Sequence, residues 1–66
     1  MNSVYIVSEH QDRTYTRLKA FSSRVNCIRY FDNRIEELGG NHTNFNFCDI
    51  RDIHLFWEYI EIDELP

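Results

Sequence analysis

The sequence predicts an α+β domain in which one helix packs on one face of a four-stranded antiparallel sheet, in the order β-β-α-β-β. Runs rich in β-branched and aromatic residues, which favour strands, stand towards both ends of the chain. One central stretch instead has apolar residues at helical spacing, and Gly39-Gly40 follows it. The chain has 66 residues, which is room for a single domain, residues 1–66.

The first two strands are predicted to form a hairpin over residues 3–21. Residues 4–7 are the β-branched and aromatic first strand, and the polar residues 8–13 are typical of a turn. Residues 14–20 alternate in polarity, as a strand with one buried face does. This alternation places three side chains on one face: Tyr15, Arg17 and Lys19.

The third element is a predicted helix from residue 23 to residue 38. Ser22 and Ser23 are of a residue type that caps a first helical turn, and Gly39-Gly40 supplies the left-handed residue that ends a helix. Cys27 and Tyr30 widen its apolar stripe. The stripe, with spacings of three and four, consists of Val25, Ile28, Phe31, Ile35 and Leu38.

A third strand is predicted at residues 45–48, a turn at 49–52 and a long fourth strand at 53–62. Both faces of the fourth strand are apolar, and one helix cannot cover both sides of a sheet. We therefore expect a second copy of the chain to cover the other side, as a homodimer. The more aliphatic face, Phe56, Ile60 and Ile62, is expected against the helix, which leaves Trp57 on the outer face.

The composition argues against several classes of protein. No apolar run of 18 residues is present, so no membrane span is predicted, and the first residues do not resemble a signal peptide. The two cysteines, Cys27 and Cys48, are therefore expected to be reduced core thiols in a cytoplasm.

Neither a cofactor nor a metal is predicted. The candidate ligands lack the spacings that close a zinc site, although Cys48 and His54 could face each other across the last two strands. Asp52 is also near this pair, but Cys48 sits in an apolar strand with no glycine turn to expose it as a nucleophile. The chain is predicted not to be an enzyme.

The formal charge of −4 is unevenly distributed. Residues 1–35 hold six basic and three acidic residues, whereas residues 49–66 hold one and six. The first hairpin could therefore stack bases and neutralise phosphates, and a small nucleic-acid-binding regulator is the alternative function. The negative net charge of the chain disfavours nucleic-acid binding. Its binding residues would be Arg13, Tyr15, Arg17, Lys19 and Arg24.

Protein binding is the predicted function. Aromatic residues anchor interfaces, and the last strand concentrates them. The acidic side chains around them either imitate a nucleic acid on a basic groove or form a solvated strand edge. The predicted binding residues are Phe56, Trp57, Glu58, Tyr59, Glu61 and Asp63.

Three segments carry a resemblance to short phage and bacterial reading frames: Val4-Tyr5-Ile6-Val7, Phe21-Ser22-Ser23, and Cys27 to Phe31. The small size and acidity also resemble those of phage accessory proteins that inhibit host enzymes or defence systems. The resemblance implies a non-enzymatic inhibitor that occludes a surface of a host protein in the host cytoplasm. It assigns no functional residue.

Overall fold

A computed structural model describes residues 2–62 of the chain. The elements are β1 (Asn2–Gln11), β2 (Thr14–Phe21), α1 (Arg24–Glu37), β3 (Phe47–Ile50) and β4 (Ile53–Ile62). The four strands form one open antiparallel sheet in the spatial order β2-β1-β4-β3, and α1 packs on one side of it. The predicted α+β class and element order are confirmed.

The first hairpin is tighter than predicted. The polar residues 8–11 continue β1, and the connection is reduced to Asp12 and Arg13. Asp12 has a φ of 56°, a left-handed conformation that aspartate tolerates in short hairpin turns. Because β1 is hydrogen-bonded to β2 on one side and β4 on the other, backbone pairing outweighs the turn preference of its polar side chains.

The second hairpin is also tighter than predicted. The third strand is β3, two residues later than the predicted residues 45–48, and the turn is limited to Arg51 and Asp52. Arg51 has a φ of 57°. The bounds of β4 are those predicted.

A β-bulge in β2 changes which side chains share a face. Arg17 and Lys19 pair with consecutive residues of β1, so Leu18 is an extra residue in β2. Tyr15 and Arg17 therefore face away from α1, whereas Lys19 faces towards it. The prediction of one common face for these three side chains is wrong, because a bulge reverses the alternation beyond it.

Helix α1 is capped at both ends as predicted. The Ser23 side chain accepts a hydrogen bond from the N–H of the third helical residue at 3.4 Å. At the other end, Gly39 has a φ of +79°, and the N–H groups of Gly39 and Gly40 donate back to carbonyls of the last turn at 3.0 and 2.9 Å. This pair of bonds is the Schellman motif.

The core lies between α1 and the two central strands. Cys27, Phe31 and Ile35, spaced four residues apart, are the buried residues of α1. Val25, predicted on the same stripe, is 64% exposed. Val25 and Cys27 are two helical steps of about 100° apart and so point in nearly opposite directions, which means that both cannot face the sheet. The sheet contributes buried Val7, Ile50 and Leu55 to the core.

The face of β4 that packs on α1 is the opposite of the one predicted. Leu55 is fully buried beneath α1 and Trp57 packs against the core, while Phe56 and Ile60 alternate to the other side. The side chain of Ile62 lies outside the described part. The cross-strand partner decides the orientation, because Trp57 lies opposite the buried Val7.

Candidate protein-binding surface

The side of the sheet that faces away from α1, here called the open face, carries a continuous row of aromatic rings. The row runs from β2 across β4 to β3 and the segment before it. Neighbouring ring centroids are separated by 5.9, 5.5, 6.0 and 5.7 Å. This ring row consists of Tyr15, Phe56, His54, Phe47 and Phe45.

Strand register brings the rings together. Phe47 of β3 lies directly opposite Phe56 of β4, and His54 lies opposite Asp49 of β3 and His10 of β1. Directly opposite side chains in an antiparallel pair share one face, with Cβ atoms about 5 Å apart. The row is therefore a product of pairing between strands that are distant in sequence.

Four of the five rings are about half exposed or more, and among them the His54 side chain in the middle of the row is 46% exposed. Tyr15 is 47% exposed, Phe47 45% and Phe45 67%. Beneath the row, Ser8 is fully buried, and the Tyr15 hydroxyl donates to its Oγ at 3.3 Å. The row thus shields the polar centre of the sheet with one side of its rings and presents the other side to solvent.

The segment that carries Phe45 is fastened to the sheet. The side-chain amide of Asn46 donates to the Trp57 carbonyl at 2.9 Å, and the Trp57 N–H donates to the Asn46 carbonyl at 2.9 Å. The Phe45 N–H also donates to Thr43 Oγ1 at 3.2 Å. These bonds extend the pairing of β4 by one residue and hold Phe45 beside Phe47.

Charged groups of both signs surround the ring row. The Asp49 carboxylate is hydrogen-bonded to the His54 ring. Arg17 and His10 share the open face with them, and Glu58 lies opposite Ile6 on the same face. An aromatic centre with a mixed polar rim is the composition of a protein interface.

The six residues predicted to bind protein are divided between the two sides of the sheet. Phe56 and Glu58 are on the open face, with Phe56 in the ring row. Trp57, Tyr59 and Glu61 alternate to the side of α1, and Tyr59 is 50% exposed there. Asp63 lies outside the described residues.

The residues predicted to bind nucleic acid are likewise dispersed. Only Tyr15 and Arg17 share the open face. Lys19 lies over two rings on the α1 side, Arg24 lies 5.9 Å from the Trp57 ring centroid, and Arg13 is in the first turn. The bulge and the strand alternation therefore prevent one basic surface from forming among them.

Sequence reasoning did not include Phe45, Phe47 and His54 among the residues of a binding surface. The signal was present in the alternation of Phe45 and Phe47, which puts both on one face. Which face that was depended on the pairing of Phe47 with Phe56. No property of a single strand gives that pairing.

Cys48 and His54, which could have faced each other across the last two strands, lie on opposite sides of the sheet. Cys48 lies opposite Leu55, on the α1 side, whereas His54 is on the open face. Within residues 2–62, no three His, Cys, Asp or Glu side chains are grouped to hold a metal ion. Cys27 is fully buried, and burial raises the pKa of its thiol to about 11, which suppresses the nucleophilic thiolate.

His42 joins the segment after α1 to the helix. Its ring is 2.8 Å from a Glu36 carboxylate oxygen and 3.6 Å from one of Asp32. The hydrogen bond that the Glu36 carboxylate accepts from the His42 ring, followed by the contributions of Asp32, raises the pKa of His42. The imidazole is exposed, and it fastens the connecting segment to the helix.

No protein-family model, curated protein or solved structure matches this chain. No helix among residues 2–62 has the length and apolar character needed to cross a bilayer. The candidate surface therefore stands on the geometry of the ring row and on the charges around it.

Proposed function

We propose that this chain is a small, non-enzymatic protein-binding module whose docking surface is the open face of its sheet. The single observation that carries the proposal is the ring row, in which five rings are in contact and four of them, His54 included, are about half exposed or more. Exposed contiguous aromatic patches mark interaction sites, because aromatic side chains supply much of the energy of protein interfaces.

The exposed rings of Tyr15, Phe45 and Phe47 supply a substantial part of the energy that specific binding needs. Each aromatic side chain buries roughly 150–250 Å², so covering the exposed halves of three rings removes roughly 300 Å² from water. At about 25 cal/mol per Å², this contributes roughly 7 kcal/mol before the cost of association. Polar contacts to Arg17, His54 and Glu58 at the rim then determine which partner fits.

The biological role we propose is inhibition by occlusion of a host protein, an enzyme or a component of a defence system. The similarity in size, charge and composition to phage accessory proteins supports this role. The cytoplasm of the host cell is the proposed location, since two free thiols are stable there. In the absence of the partner, we propose that two copies pair through the same open face, so that self-association and partner binding compete.

Nucleic-acid binding is the second candidate, and one observation favours it. Arg17 lies on the same face as the ring row, and aromatic rings beside a guanidinium form a platform for bases. The net charge of −4 opposes it. Titration of a labelled single-stranded oligonucleotide, followed by fluorescence anisotropy at two salt concentrations, separates the candidates. Protein binding through the open face predicts no salt-sensitive oligonucleotide binding.

The proposed function is tested with a Phe45→Ser/Phe47→Ser double variant and a matched control. The control, Val25→Ser, removes an apolar side chain of comparable exposure from α1. Circular dichroism first shows that each variant is folded. Wild type and both variants are then used as baits in quantitative affinity purification from the host. We expect the double variant to lose at least about tenfold of the captured partner and the control to retain it. Equal capture by both variants would exclude the open face.

Light scattering tests the pairing of two copies. Wild type should approach twice the monomer mass as its concentration rises, and Phe45→Ser/Phe47→Ser should remain a monomer. A monomeric wild type at high concentration would contradict the pairing, but it would leave the binding of a different partner intact.

A further inference from the structure

The outer edge of β4 is unpaired over its second half. β4 has ten residues and β3 has four, and the register pairs β3 with residues 53–56 only. Asn46 adds one further partner, at Trp57. Beyond that point β1 continues to pair with β4 on one side, and no described strand lies on the other.

The bonds of Trp57 show which backbone N–H and C=O groups of β4 point outward from its free edge. The N–H and C=O of Trp57 point towards β3, because both are bonded to Asn46. The N–H and C=O of a strand residue point to one side, and successive residues alternate. Tyr59 and Glu61 therefore direct their backbone groups outward from the free edge, while Glu58 and Ile60 direct theirs to β1.

The side chains along this edge are acidic and aromatic. Glu58 lies on the open face and Glu61 on the α1 side, and residues 53–62 contain no lysine or arginine. On the α1 side, the Tyr59 ring packs on Tyr5 at 5.0 Å, and Trp57 lies edge-on to Tyr5 at 6.0 Å. Aromatic faces beside carboxylates attract lysine and arginine side chains.

A hollow of about 500 Å³ adjoins the same edge. Its wall includes Trp57 and Asn46, and α1 contributes Arg24, Ile28 and Asp32, so charges of both signs face it and the excess of acidic groups lies along the strand edge itself. A strand added beside Tyr59 would continue the line of β3 past Asn46, so its alternate side chains on the α1 side would point towards this hollow. Edge addition of this kind draws affinity from main-chain bonds and selectivity from the pockets that receive alternate side chains.

We propose that the free edge of β4 receives an extended, lysine- or arginine-bearing segment of the partner protein as an additional strand. The proposal rests on the function proposed above and names a second contact with that partner. The added strand bonds to the backbone of Tyr59 and Glu61. Its basic side chains meet Glu58 on one face, or Glu61 and the Tyr59 ring on the other.

Amide hydrogen exchange measured by NMR tests the proposal with an internal control. In the free chain, the Tyr59 and Glu61 amides should exchange rapidly, and the Glu58 and Ile60 amides should be protected by β1. The probe is a short blocked peptide of alternating lysine and valine. It should slow exchange at Tyr59 and Glu61 at least about tenfold, whereas a peptide with glutamate in place of lysine should not.

Two variants separate the backbone bond from the charge. Glu61→Pro removes an outward N–H without removing a bond to β1, and Glu61→Gln removes only the charge. Both should weaken peptide binding, with proline the more severe. Asp52→Asn, the same change of charge at the other end of β4, should not affect binding.

Three results would overturn the proposal. The first is protection of the Tyr59 and Glu61 amides in the free monomer. The second is protection that rises with protein concentration, which would identify a second copy as the occupant. The third is peptide-induced shifts at Phe47 and Phe56 instead of the edge. Phe45 also lines the hollow beside this edge, so the matched open-face variant here is Phe47→Ser alone. If that variant still binds the peptide but loses the partner, the loss lies in the open face and not in the edge.

Discussion

Gly40→Ala should destabilise the fold, although alanine is normally the better residue outside a left-handed turn. A Cβ at this position would lie 2.6 Å from Ile50 Cδ1, 2.7 Å from Ile50 Cγ1 and 3.3 Å from Ile35 Cγ2. Carbon atoms pack best at about 3.5–4.0 Å. Both neighbours are buried, so neither side chain has free space into which to move.

The expected cost follows from this overlap. Overpacking a filled core by one methyl group costs about 1–3 kcal/mol. Gly40 does not have a positive φ, so alanine adopts the backbone conformation of the folded chain without strain. Alanine also lowers the conformational entropy of the unfolded chain, and this stabilising effect offsets about 0.4–1 kcal/mol of the overpacking cost. The net loss is about 1–2 kcal/mol, against a total stability of about 3–10 kcal/mol for a chain of this length. In a domain this small, it lowers the melting temperature by roughly 5–15 °C.

Thermal and urea unfolding followed by circular dichroism measure the loss. Gly39→Ala is the comparison, because its Cβ meets nothing within 4 Å but its φ of +79° strains alanine by about 1 kcal/mol. Asparagine tolerates that conformation, so Gly39→Asn should cost less than Gly39→Ala, whereas Gly40→Asn should cost more than Gly40→Ala. Ile50→Val removes Cδ1 and should reduce the cost of Gly40→Ala. A Gly40→Ala chain as stable as wild type would refute the reasoning.

Three further predictions concern the core and the connecting segment. Trp57→Ala should cost about 3 kcal/mol and lower the melting temperature by roughly 12–24 °C, since Trp57 packs on the core; a variant that melts with wild type would contradict this placement. In a Cys48→Ser chain, Ellman's reagent should find no reactive thiol until unfolding, because Cys27 is buried with a raised pKa; rapid native labelling would show an open core. The pKa of His42 is higher in the folded chain than its unfolded value of 6.5. The ion pairs of His42 therefore stabilise the fold fully below pH 6.5, and this stabilisation is lost as the pH rises through the pKa of the folded chain. Urea titrations of His42→Gln should therefore show a loss at about pH 5.5 and almost none at about pH 8.5, and an equal loss at both would reject the ion pairs as its cause.

The amino-acid sequence alone determined the elements with strong local signals. The Ser23 cap, the apolar spacing and Gly39 placed α1 to within one residue at each end, because these signals act within a single turn. The bounds of β4 were equally readable from its aromatic and β-branched run. These elements and their order were enough for the α+β class.

Pairing between distant strands decided which side chains meet. The sequence pattern of β4 could not assign Trp57 to the core, because both faces of the strand are apolar. The buried Val7, which lies opposite Trp57 on β1, selects the face that packs on α1. The extra residue Leu18 moved Lys19 to the α1 side, and no composition signal marks such a bulge. The ring row arose in the same way, since Phe47 and Phe56 become neighbours only through the register of β3 and β4. Local preferences set where each strand begins and ends, whereas the register, which fixes every face at once, is a property of the assembled sheet.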